Sequence, residues 1–97
     1  MLQRIFGGSK FLKKMNTLME LYSVSHNADA TYKELLKLEP LIRTQGELSW
    51  YNLNRAALLY DMKRFAAAAD IIMEIDSLNP EFDAKCAQLK TKIMNAL

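Results

Sequence analysis

Few side chains in this chain are of a type that could do chemistry, so each can be weighed in turn. His26 is the one histidine. A base or a metal ligand needs partners at set spacing, and its neighbours Ser25, Asn27 and Asp29 are ordinary turn formers. Asp70 and Glu74 stand one helical turn apart, with Asp76 close by. Two neighbouring carboxylates without a histidine or a third oxygen donor describe a solvated helix face better than a cation site. Cys86 is the single cysteine, which leaves no intramolecular disulfide and no cysteine cage for zinc. It falls on an apolar stripe, where a thiol packs as a small inert hydrophobe. Gly7-Gly8 lacks the preceding strand and the following Lys-Ser/Thr of a phosphate loop. We therefore expect no catalytic residue, no metal site and no cofactor.

The elements that would position these groups are helical. The chain has 97 residues, 51% of them hydrophobic and 25% charged, enough for one domain with one modest core. Three glycines and two prolines are too few for a turn-rich β protein. Ser9 suits an N-cap, and Phe11, Leu12, Met15, Leu18, Met19 and Tyr22 form one stripe, which predicts a helix over 10–24. A second helix is expected from Ala28–Ala30, capped by Asp29 or by a Thr31/Glu34 box. It should kink at Pro40, run to Arg43 or Thr44, and end at Gly46. A third is predicted over 47–62 and a fourth over 66–78. Asn79-Pro80 then reads as N-cap and first residue of a fifth, with Phe82, Cys86, Leu89, Ile93 and Leu97 on one side. Short connections between such helices give antiparallel hairpins. The expected architecture is all-α: a flexible basic arm at 1–9 and a single domain at 10–97, made of two helical hairpins and a C-terminal capping helix.

The formal net charge of +2 conceals an uneven distribution. Residues 1–19 carry four cations (Arg4, Lys10, Lys13, Lys14) and no acid; residues 20–83 are acidic on balance; residues 84–97 carry three lysines and no acid. The segment 1–14 places Leu2, Ile5, Phe6, Phe11 and Leu12 among its cations. Arg4, Phe6, Lys10, Lys13 and Lys14 therefore form a candidate contact with an anionic membrane surface. The same acid-free segment also suits a targeting address, or simply the start of the first helix. Nucleic acid is disfavoured, because aromatics are not interleaved with the cations and the acidic middle would repel phosphate. No apolar run is long enough for a membrane span or a signal peptide. A reducing, cytoplasmic setting fits the lone cysteine.

Aligning Pro40 with Pro80 pairs Leu18 and Met19 with Leu58 and Leu59, Ala28 with Ala68, and Leu38 with Leu78. Within WYNLNRAALLYDMKRFAAAADIIMEIDSLNP, Ala56, Phe65, Ala68 and Pro80 stand at the spacing of a tetratricopeptide repeat, which this segment resembles. Asn16 and Ser25 replace the small and aromatic residues in the first unit, and the 40-residue offset exceeds the family's usual length. The resemblance implies about two repeats and a protein–protein interaction module, a small adaptor or chaperone for a partner helix or an extended peptide. It also implies a binding face with Trp50, Leu53, Ala57, Tyr60 and Asp61. By the same register Lys13 and Asn54 occupy two places of a carboxylate clamp, with no matching cationic pair on the third helix. So short a stack is expected to gain from self-association or a bound partner. The alternative function is a peripheral membrane or assembly-anchoring subunit that uses the basic N-terminus.

Overall fold

The computed structural model describes residues 9–97. Five α-helices follow one another: α1 (Lys10–Ser25), α2 (Ala28–Leu36), α3 (Gln45–Asp61), α4 (Phe65–Ile72) and α5 (Pro80–Ala96). A single 3-10 turn, Glu39–Leu41, lies between α2 and α3. No strand occurs among the described residues. The chain is all-α, with α1/α2 and α3/α4 as hairpins and α5 closing the far side against α4 and α3.

Local signals explain most helix starts. Ser9 caps α1, its Oγ accepting from the Leu12 N–H at 3.1 Å. Ser9 thus belongs to the folded domain; the rest of the expected arm, including Arg4 and Phe6, lies outside the described residues. Thr44 caps α3 and Asn79 caps α5 in the same way. The three caps are 35 residues apart, so α1, α3 and α5 begin at regular intervals. α2 departs from expectation. Asn27 is its cap, accepting from Ala30, and neither Asp29 nor Thr31 does this work. Thr31 is instead buried.

Two helices end earlier than their stripes suggest. α2 stops at Leu36 and does not continue through a kink to residue 43 or 44. The N–H groups of Lys37 and Leu38 turn back to carbonyls three residues earlier, and Pro40 has no N–H with which to resume the ladder. Gly46 is not a helix stop. It lies in the first turn of α3, where an added Cβ would sit 3.4 Å from Leu78 Cδ1. α4 stops at Ile72 and does not reach Leu78. The segment that follows is held in another conformation by distant groups. The Leu78 N–H donates to Asp83 Oδ1 at 3.0 Å, the Ser77 hydroxyl donates to Asp83 Oδ2, and Gln45 Nε2 donates to Asp76 at 2.9 Å.

α3 is the central element. Tyr51 and Leu58 face the first hairpin, where they pack with Phe11, Leu12, Met15 and Leu35. Leu53, Ala56 and Leu59 face the other way, into a cluster with Ala68, Ile72, Phe82 and Ile93. Tyr32 and Trp50 touch both clusters. Ala56 and Ala68 are fully buried, and their small side chains let α3 and α4 approach closely. At the α5 end the stripe fails: Leu97 is exposed.

Candidate functional site

The beginnings of α1, α3 and α5 meet at one end of the molecule. Their caps Ser9, Thr44 and Asn79 all line a single apolar pocket of about 340 Å³. Leu12, Trp50 and Leu78 supply its apolar walls, and Gly46 leaves the space beside Leu78. Trp50 is half-buried and meets the Phe82 ring edge-on, with centroids 4.8 Å apart. This contact ties α3 to α5 and sets the indole as one wall of the pocket.

Glu47 organises the same corner. It is only 9% exposed, and both carboxylate oxygens are engaged. The Ser9 hydroxyl donates to Oε2 at 2.7 Å, and the Arg43 N–H donates to Oε1 at 2.7 Å. Ser9 Oγ therefore accepts from the α1 backbone while donating to α3, which couples two helix starts. Burial pushes the carboxyl up, but the Ser9 hydroxyl, the Arg43 and Thr44 backbone amides and the Arg43 charge together hold it below the ordinary carboxylate range. A signal for this residue exists in the sequence: Thr44 and Glu47 have capping-box spacing. Thr44 Oγ does accept from the Glu47 N–H at 3.1 Å, while the carboxylate turns to Ser9 and Arg43.

The residues of the expected binding face lie along one side of α3 but differ in exposure. Trp50 lines the pocket, but Leu53 is 7% exposed and belongs to the core. Its burial leaves little area for a partner. Ala57 is half-buried. Tyr60 leans on Phe65, ring centroids 5.4 Å apart. Asp61, at the end of α3, accepts from the Tyr22 hydroxyl of α1. Burial and the Asp61 carboxylate push the Tyr22 phenol up to about 12.

Lys13 and Asn54 do not form one clamp. The Asn54 amide donates to Trp50 O at 3.2 Å and lies 3.1 Å from Met15 Sδ, so it faces Met15 on α1. Lys13 is two residues from Met15, about 200° around the helix. It lines a separate groove between α1 and α2 together with Lys14, Leu18, Leu21, Glu34 and Leu38. Lys10, Lys13 and Lys14 are exposed, and none makes an ion pair among the described residues.

The other chemical candidates have structural places. His26 takes a left-handed conformation (φ 55°) at the end of α1 and is exposed. Cys86 is half-buried on α5, where burial and the nearby Asp83 charge push its thiol up. Asp70, Glu74 and Asp76 are exposed. Among the described residues no group of three or more His, Cys, Asp or Glu could hold a metal ion, and no helix is long and apolar enough to cross a membrane.

Comparison with family models, with characterised proteins and with solved structures yields no match to this chain.

Proposed function

We propose that this chain is a non-enzymatic protein–protein interaction module, a small adaptor or chaperone that holds a partner helix or extended segment. One observation carries the proposal: the open apolar pocket at the shared end of α1, α3 and α5, walled by the half-buried Trp50. Apolar pockets with a rigid aromatic wall are where partner anchor residues seat. Its polar rim is made of capping side chains whose hydrogen bonds are already committed to holding helix starts.

The tetratricopeptide-like reading is part of this proposal. It draws on helix starts every 35 residues, against about 34 in that family. The paired burial of Ala56 and Ala68 between α3 and α4 supports it too.

Affinity capture with the intact chain tests the function, with bound proteins identified by mass spectrometry. Trp50→Ala, which removes the pocket wall, should lose the specific partner, whereas Trp50→Phe should retain part of it. Tyr60→Ala should leave capture unchanged, because Tyr60 lies outside the pocket lining. Equal capture by the intact chain and Trp50→Ala would exclude the pocket.

A further inference from the structure

The groove between α1 and α2 differs from the Trp50 pocket in both charge and shape. It is an open channel of about 400 Å³. Leu18, Leu21 and Leu38 form its apolar part, and Leu21 is 62% exposed. Lys13 and Lys14 stand beside the leucines, both exposed and without an ion-pair partner among the described residues. The one acid in the lining, Glu34, is already bound by Lys37 at 2.9 Å. The groove thus presents an apolar strip beside two free cations.

We propose that this groove seats an acidic amphipathic helix of another protein. The proposal rests on the interaction-module reading and adds to it a second surface and the chemistry of its occupant. Two antiparallel helices leave a furrow into which the side-chain ridge of a third can pack. α3 already packs on this hairpin, through contacts with both α2 and α1. A docked helix would set leucine-like residues at i, i+3, i+4 and i+7 over Leu18, Leu21 and Leu38. Carboxylates along its edge would meet Lys13 and Lys14, which speeds encounter and selects orientation.

Docking of α5 from a second copy fits less well, since its solvent face carries Lys85, Lys90 and Lys92, which would bring cations to cations. An anionic bilayer fits less well too, since Leu18 and Leu38 are half-buried and only Leu21 stands out from the surface.

The test uses the full chain and two fluorescein-labelled helical peptides of about five turns with the same leucine stripe, one flanked by glutamates and the other by lysines. Fluorescence anisotropy should show the acidic peptide binding, with affinity falling as salt rises. Lys13→Glu/Lys14→Glu should weaken it at least tenfold and let the basic peptide bind. Leu21→Asp should abolish binding of the acidic peptide, and Trp50→Ala should leave it unchanged. All of these positions are exposed or half-exposed, and circular dichroism establishes that each variant keeps its helices.

Failure of the acidic peptide to bind, or equal binding of both peptides, overturns the groove while leaving the pocket to its own capture test. Loss of binding in Trp50→Ala alone also overturns the groove and moves the peptide to the pocket. Lysine-dependent flotation with phosphatidylserine vesicles, without peptide binding, assigns the surface to membranes. Sedimentation showing a dimer that Leu21→Asp dissociates assigns it to a second copy.

Discussion

Glu47→Gln isolates the coupling between two helix starts. The wild-type carboxylate accepts from the Ser9 hydroxyl and the Arg43 N–H, both at 2.7 Å. A glutamine of the same shape can point its oxygen at Arg43 and its amide at Ser9 Oγ, which exchanges two charge-assisted bonds for two neutral ones. Each exchange costs about 1 kcal/mol, the difference between typical charged and neutral hydrogen bonds. The expected loss is about 2 kcal/mol, or roughly 8–16 °C in Tm for a domain near this size. Ser9→Ala removes the same bond and the α1 cap together, the latter worth about 1 kcal/mol.

The two changes share only the Ser9–Glu47 bond, so a double-mutant cycle by urea denaturation should show coupling of about 1 kcal/mol. pH supplies an independent check. The folded carboxyl titrates below its ordinary value of 4.5, so its contribution is fully present above that value and disappears as pH falls through the folded pKa. The acid limb of the stability curve should therefore be shallower in Glu47→Gln. Additive effects within about 0.3 kcal/mol, or an unchanged acid limb, would refute the coupling.

Four further outcomes are expected. Ala68→Glu buries an unpaired charge between α3 and α4 and should cost several kcal/mol, about 3 or more, read as loss of the cooperative thermal transition. Phe82→Ala should cost about 3–5 kcal/mol by denaturant titration and shift Trp50 emission to the red, because the indole loses its edge-on partner. Lys63→Gly should raise Tm by a few degrees. Lys63 sits at φ 64°, where a side chain strains the backbone by about 1 kcal/mol. Tyr22 and Tyr51 are both pushed up to about 12, chiefly by burial, so absorbance at 295 nm should show a late titration step that Tyr22→Phe reduces. A phenol whose folded pKa is raised favours the folded state below its ordinary 10.0, and stability should fall as pH rises from there towards 12.

What the sequence determined by itself is local. The 3.6-residue stripes announce five helices. Ser9 and Asn79-Pro80 mark two helix starts, and Ala56 with Ala68 marks a close helix crossing. Each of these signals acts within one or two turns of chain or through residue size alone. Pro40 also acts locally, since it cannot extend the ladder of α2, whereas the path after α4 depends on the tertiary bond from Gln45 to Asp76. The tertiary structure also moved Leu53 from the expected binding face into the core and parted Lys13 from Asn54. Above all it made the pocket. Ser9, Thr44 and Asn79 each read as an isolated cap, and only the antiparallel return of α2 and α4 brings three helix starts around one apolar space. The Ser9–Glu47 bond spans 38 residues and the Tyr22–Asp61 bond 39, distances over which no local spacing specifies a partner.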